Sequence, residues 1–246
     1  MNTDNTSIAG ETIDYGPCAF MDEYHPGKVF SSIDQQGRYA YANQPQIAMW
    51  NLARFAETLL PLIDEDQQQA IKQAENVLER FSAHFQAAYS VGMRQKLGLD
   101  TEADGDLELA GEFLRLLATN QVDFTLAFRR LSDVASNPAA DASLRSLFGD
   151  EQQFGVWVEQ WRARIMREPD DADDRCARMR LVNPAFIPRN HRIEAMIEAA
   201  VEREDLAPFE ELLLVLAKPF ENQASFAHYM DPPQSHERVC QTFCGT

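Results

Sequence analysis

The residues whose types and spacing suit chemistry lie at the amino end. Asp4-Asn5 is followed by Ile13-Asp14-Tyr15-Gly16. An amide oxygen, together with a carboxylate on an Asp-aromatic-Gly turn, is what holds the metal ion in phosphoryl-transfer sites. Mg²⁺ is a hard cation that takes one or two protein oxygens and completes its shell with phosphates and water. On this reading Asn5 and Asp14 hold the metal, and Asp4 accepts a proton from an attacking hydroxyl. Both strings also occur as plain turns or helix caps, so two readings stand at this point.

The elements that must position these residues are of two kinds. Gly10, Gly16, Pro17, Pro26, Gly27 and Gly37 punctuate residues 1–43 at short intervals, which predicts irregular structure with short strands. Ile8 and the Thr12-Ile13 step suit a small hairpin presenting Asp4 and Asp14. From Gln44 the period becomes helical. Ala48, Leu52, Phe55, Leu59 and Leu62 form one stripe, with Pro45 suited to its first turn. Asp64 with Gln67 resembles a capping box for a long helix carrying Ile71, Ala74, Leu78, Phe81, Phe85 and Ala88, stopped by Gly98. Further stripes are Leu107 to Leu117, Phe124 to Leu131, Phe154 to Ile165, Ile193 to Ala200, and Phe209, Leu212, Leu213 and Leu216. All read as core faces. Pro169 to Asp174 predicts a break that caps the helix of Cys176 and Met179. Residues 231–246 read as a polar tail.

The bulk properties narrow the class. The chain has 246 residues, is 45% hydrophobic and 25% charged, and contains fifteen Phe and three Trp. That suits a folded protein with a sizeable core. A formal charge of -17 argues against nucleic acid and anionic membranes as partners, since both repel an acidic surface. No run of about eighteen apolar residues predicts a membrane span. The first residues lack the apolar core of a signal peptide. The four cysteines, Cys18, Cys176, Cys240 and Cys244, are too scattered for a secreted disulfide framework, so a reducing cytoplasm is expected. His236, Cys240 and Cys244 fall four apart, a spacing that would gather three soft ligands if the tail were helical.

Several stretches together resemble one family. They are Asn2-Thr3-Asp4-Asn5, Asp14-Tyr15-Gly16-Pro17, Phe20-Met21-Asp22, Gly37-Arg38-Tyr39-Ala40-Tyr41, Asn43-Gln44-Pro45 and Trp50-Asn51-Leu52-Ala53-Arg54. Asn183-Pro184, Ile187-Pro188-Arg189-Asn190-His191 and Phe243-Cys244-Gly245-Thr246 continue the series. The set resembles the selenoprotein O family, also called YdiU, whose members are kinase-fold protein adenylyltransferases. The resemblance implies a mainly α chain: a kinase-like C-lobe (α+β) with a short irregular, β-rich catalytic segment over 1–43. A helical C-lobe body over 44–230 and the tail would follow, and Pro17 to Gly37 would be the activation segment.

It further implies transfer of AMP from ATP to Ser, Thr or Tyr hydroxyls of proteins. Asp4 would be the base, Asn5 and Asp14 the ligands of Mg²⁺ or Mn²⁺, and Asp14 would also lie beside the ATP phosphates. Asp22, Glu23, Asp34 and Arg38 are further candidates in the activation segment, or plain loop charges. Arg189, Asn190 and His191 are expected to cap and brace a helix. Family members carry a C-terminal Cys or selenocysteine, the place of Cys244. The usual partner position is Phe30 here, so free thiols are the first expectation, and Cys18 is the cysteine left for a redox link to Cys244 as the alternative.

The resemblance covers the C-terminal half of a family member. The glycine-rich loop, the nucleotide-binding Lys and Arg residues and the small lobe have no counterpart, so this chain alone is expected to be inactive. Ordinary kinases separate the catalytic Asp and Asn by five positions, and the adjacency here argues against simple phosphoryl transfer. A kinase-like phosphotransferase and an inactive helical interaction module are the alternatives.

Overall fold

The computed structural model describes residues 3, 6–10, 19–149 and 151–242, and apolar residues at three- and four-residue steps wind these described residues into ten α-helices. They are α1 (Gln44–Ile63), α2 (Gln67–Leu78), α3 (Phe81–Leu97), α4 (Asp106–Asn120), α5 (Phe124–Val134), α6 (Asp141–Arg145), α7 (Glu151–Ile165), α8 (Ala172–Val182), α9 (Asn190–Arg203) and α10 (Ala207–Leu216). Short 3₁₀ turns cover Tyr41–Asn43, Pro138–Ala140 and Ala224–Met230. The β-rich opening has no strand among the described residues. Its one ladder contact there is an isolated antiparallel bridge between Glu23 and Asp123. The expected hairpin at Thr12-Ile13 lies outside the described residues.

The chain divides into two units. One takes its described residues from 1–18, 26–91 and 242–246, the other from 19–25 and 92–241. In the first, turns bonded by side chains replace regular structure before α1. The Asp34 carboxylate accepts from the Arg38 and Tyr39 amides, both at 2.8 Å, as Asp does in turns. The Arg38 guanidinium lies 4.9 Å from the Trp50 ring, with Arg54 at 5.5 Å from the same ring. Helix α1 starts with Pro45 in its first turn, as its missing N–H allows. The cap of α2 is Asp66, not the expected Asp64: Asp66 accepts from the Gln68 and Gln69 amides. Asp64 instead ends α1 and accepts from the Asp66 amide and the Gln73 side chain. The expected long helix is split into α2 and α3 at Glu79-Arg80. There the Arg80 amide bonds the Val77 carbonyl, three residues back; no Pro or Gly marks the site.

The second unit holds the core. Helix α4 packs on α7 and α5 on α8, and aromatic residues of α4, α5 and α7 interlock. Phe113 stacks on Trp157 at 4.3 Å and meets Phe128 edge-on at 5.1 Å. Phe148 stacks on Phe154 at 4.3 Å. Buried indoles need an acceptor, and both find one: Trp157 Nε1 donates to the Leu109 carbonyl and Trp161 Nε1 to the Leu97 carbonyl, each at 2.9 Å. Gly98 ends α3 with φ +77°, as a helix-stopping glycine does. Asp171 caps α8 through the Asp173 and Asp174 amides.

A smaller cluster joins Ala185, Phe186, Leu212, Val215 and Tyr229. It corrects the stripe on α10: Leu212 and Val215 are buried, while Phe209 and Leu213 are exposed. The α10 sequence is apolar nearly all round, so periodicity alone did not select its inner face. The tail residues 231–242 contain turns and no helix, so His236 and Cys240 do not share a helical face.

Candidate functional site

The predicted base, metal ligands and thiols, Asp4, Asn5, Asp14, Cys18 and Cys244, lie outside the described residues. Their neighbours in the sequence are held by hydrogen bonds. In the first unit, Asn51 Nδ2 donates to the Thr6 hydroxyl at 3.0 Å, tying α1 to the residue that follows Asp4-Asn5. In the same unit Thr242, two positions before Cys244, donates its hydroxyl to the Phe30 carbonyl at 3.0 Å, while its own carbonyl accepts from the Ser32 amide at 2.7 Å.

Residues 19–25, which follow Asp14 in the sequence, are bound into the second unit along their length. Asn190 both accepts from the Phe20 amide (3.0 Å) and donates to the Phe20 carbonyl (2.8 Å). The Asp22 carbonyl accepts from the Phe124 amide at 2.8 Å, and the Tyr24 amide donates to the Val122 carbonyl at 3.0 Å. Tyr24 stacks on Phe124 at 5.8 Å. Glu23 pairs with Arg238.

The centre of this attachment is Arg189, 1% exposed. Its Nη1 donates to Asp22 Oδ1 and Asp123 Oδ2, both at 2.7 Å, and its Nη2 to Asp123 Oδ1 at 3.1 Å and the Met230 carbonyl at 2.8 Å. Burial alone would lower the guanidinium's pKa, but the Asp123 bond and the charges of Asp123 and Asp22 raise it, so it stays charged. Asp123 also accepts from the Leu126 amide and so caps α5. Arg189 therefore braces as expected, but its side chain does not cap α9; the carboxylates take its donors. His191 is buried beside it. Burial, and then the positive charges of Arg192 and Arg189, hold its imidazole below the ordinary histidine value.

Two further polar clusters were not legible from motifs. Arg164 Nε donates to Asp106 Oδ1 at 2.6 Å, its Nη1 bonds Glu168, and its Nη2 donates to the Thr101 carbonyl at 2.7 Å. Burial would raise the Glu168 pKa, but bonds from the Thr101 hydroxyl and amide, Arg164 and the Asp100 amide outweigh it and bring it to about 2. Beside this cluster a groove of about 790 Å³ runs between α4 and α7, bordered by Asp104, Glu108, Glu112, Arg115, Gln160 and Arg167. It mixes both signs of charge and includes none of the predicted site residues. In the second cluster, Lys96 Nζ donates to Asn183 Oδ1 at 3.3 Å and lies 5.5 and 5.2 Å from the Phe124 and Phe128 rings. Burial lowers its pKa to about 8.

Asn183 is itself a hub. It donates to the Lys96 carbonyl and the Ser132 hydroxyl, and its own carbonyl accepts from Arg129. Arg129 also donates to Asn222 at 2.6 Å. Nothing in the spacing of Asp123, Arg129 or Asn222 signals these roles, because Arg189, Asn183 and Arg129 reach them from elsewhere in the chain; Glu168 lies four residues from Arg164, but its Thr101 and Asp100 donors come from a distant segment.

The sequence has known relatives. The family described as "Protein adenylyltransferase SelO" matches residues 1–217. The chain belongs to the SelO family. Over its full length it is 61% identical to the "Protein nucleotidyltransferase YdiU" of Rhodopseudomonas palustris (strain BisB18) and 59% identical to that of Bradyrhizobium sp. (strain BTAi1), covering 50% of each. It is 58% identical to the protein of the same name from Rhizobium etli (strain CFN 42), covering 49% of it. The chain thus spans about half the length of these SelO-family relatives. The resemblance drawn from the short motifs is thereby shown. The described residues contain no helix long and apolar enough to cross a membrane.

Proposed function

We propose that this chain carries the metal-binding and proton-accepting part of a protein adenylyltransferase with a kinase-like C-lobe, and that it works in the cytoplasm. The observation that carries the reading is the SelO match over residues 1–217, which includes Asp4, Asn5 and Asp14. The amide and carboxylate oxygens of Asn5 and Asp14 are the hard donors that Mg²⁺ or Mn²⁺ prefers. Among the described residues no group of three His, Cys, Asp or Glu gathers to hold an ion, so the metal assignment rests on these two. When bound, the metal supplies charge neutralisation at the phosphates of ATP.

In the reaction, the hydroxyl oxygen of a protein Ser, Thr or Tyr forms a bond to the α-phosphorus. The bond from that phosphorus to the bridging oxygen breaks, and pyrophosphate leaves with the electron pair. Asp4 orients the hydroxyl and takes its proton. Positioning and charge neutralisation dominate such transfers. The clamp on residues 19–25 supports the reading, because it anchors the chain eight residues beyond Asp14 through the Asp22–Arg189 pair. We also propose a redox link between Cys18 and Cys244. What supports it is that Thr242, two positions before Cys244, is held by bonds to Phe30 and Ser32, twelve and fourteen positions beyond Cys18.

The test supplies the full-length protein with acceptor proteins and ATP labelled at the α- or the γ-phosphate. Incorporation of the α label alone is expected. Incorporation of the γ label would establish a kinase-like phosphotransferase instead, and neither label would leave a helical interaction module. For this chain alone, no thermal shift with ATP and Mg²⁺ is expected, because it spans half of its relatives.

A further inference from the structure

Trp50 differs from the other two indoles of the chain. Trp157 and Trp161 are buried, while Trp50 on α1 is 44% exposed. Two arginines share its ring: the Arg38 guanidinium lies 4.9 Å and the Arg54 guanidinium 5.5 Å from its centroid, both within cation–π reach. All three residues belong to the first unit. A guanidinium stacked by its flat face keeps its N–H groups free in the plane, where they match the two oxygens of a carboxylate. Among the described residues no carboxylate pairs with the Arg38 guanidinium, whose contacts are the Tyr39 and Trp50 rings. The Asp34 carboxylate is occupied by the Arg38 and Tyr39 amides. Arg54 pairs with Glu57, but both partners are about half exposed, and such pairs yield readily.

The turn that carries Arg38 is fixed in advance. Asp34 holds its start, Asn43 Nδ2 donates to the Gly37 carbonyl at 2.8 Å, and Gly37 takes a φ of +66°, which glycine adopts without strain. Binding there needs little ordering of the chain. The patch is also tied to the amino end, because Asn51, next to Trp50, donates to Thr6, the residue after Asp4-Asn5. A chain of charge -17 repels a polyanion, whereas one acidic side chain meets two cations here. Arg38, Trp50 and Arg54 are all exposed. An open seat suits a side chain presented by another polypeptide, not a small anion that needs enclosure.

We propose that Arg38 and Arg54, held on Trp50, bind an acidic side chain of the acceptor protein, so that the hydroxyls modified are those with Asp or Glu near them in the acceptor chain. The naming of the ligand as an acceptor rests on the adenylyltransferase reading; the seat itself does not.

The experiment titrates this chain, without ATP, with a peptide carrying Ser beside Asp and Glu, and with the same peptide carrying Asn and Gln in their place. Trp50 fluorescence reads the binding, since the other two indoles are buried. The acidic peptide is expected to bind at least about tenfold tighter, with a difference that shrinks as salt rises. Arg38→Gln should remove the preference. Arg38→Lys should keep part of it, because an ammonium retains the charge but not the paired planar donors. Arg203→Gln, at an exposed arginine of α9, makes the same change of charge and should leave the affinity unchanged. If Arg38→Gln disturbs the turn, Arg54→Gln on the surface of α1 decides by the same titration.

Equal affinity for the two peptides would overturn the proposal, as would a preference that survives both Arg38→Gln and Arg54→Gln. Displacement of the acidic peptide by inorganic phosphate at the same concentration would also overturn it, because the seat would then take any small anion. None of these readouts depends on AMP transfer. Binding without incorporation of the α label in the full-length protein removes the adenylyltransferase reading and leaves a seat for acidic peptides; transfer without the preference removes this proposal alone.

Discussion

Arg189 and Asp22 stand 167 positions apart and meet at 2.7 Å in a pair whose arginine is almost fully buried. The same guanidinium holds Asp123 with two bonds. One cation thus joins residues 19–25, which follow Asp14 in the sequence, to the start of α5. Burying a cation is costly unless its partners surround it, and here two carboxylates and a carbonyl do so.

Replacing that cation should therefore be expensive. Arg189→Met leaves Asp123 buried without its counter-charge, and a loss of about 3–5 kcal/mol in urea unfolding is expected. Arg189→Lys should fall between the two, since an ammonium cannot supply the paired planar donors. A midpoint unchanged in both variants would show that the pair does not hold the segment.

Glu168 gives a pH signature. Its folded-state pKa of about 2 lies below the ordinary 4.5, so its ionised form favours the folded state. That contribution is complete above pH 4.5 and disappears as the pH falls from 4.5 towards 2. Glu168→Gln should lower stability at pH 7 by about 2–3 kcal/mol and flatten the acid limb of the stability profile in that window. Chemical denaturation at several pH values reads both effects.

Gly98 has no room for a side chain. A Cβ there would come within 2.6 Å of Met179 Sδ and 3.1 Å of Arg175 Cγ, at a left-handed φ of +77°. Gly98→Ala should cost about 2–4 kcal/mol, from backbone strain and displacement of Met179 together. Gly111 in α4, which has open space around its Cβ position, is the control: Gly111→Ala should be neutral or stabilising by up to about 1 kcal/mol.

For the proposed reaction, Asp14→Ala in the full-length protein should lower AMP transfer by at least about a hundredfold. Asp4→Ala should lower it by a similar or smaller factor. Neither should shift the unfolding midpoint by more than about 1 kcal/mol if both act on substrate and not on the fold. Full AMP transfer by Asp4→Ala would remove Asp4 from the mechanism.

The redox link is checked by non-reducing peptide mass spectrometry of this chain after mild oxidation. A peptide joining Cys18 to Cys244 is expected, while the buried Cys176 stays reduced. Fully reduced Cys18 and Cys244 under those conditions would exclude the latch.

By itself the sequence determined the family, the mainly helical class and most of the inner faces of α4, α5 and α7. The reason is local: three- and four-residue periodicity, a proline at a helix start, an aspartate at a cap and a glycine at a stop are properties of neighbouring residues. Short motifs at Asp4-Asn5 and Asp14-Tyr15-Gly16 carried the proposed chemistry in the same way. Tertiary structure alone decided which polar residues became buried partners. Arg189 with Asp123, Arg164 with Asp106, and Asn183 with Ser132 are polar residues that any surface would display. They are recognisable only once folding brings distant segments together and removes the water that would otherwise satisfy them. The same holds for the stripe on α1: its period marks an apolar face, but whether that face is covered depends on what packs against it.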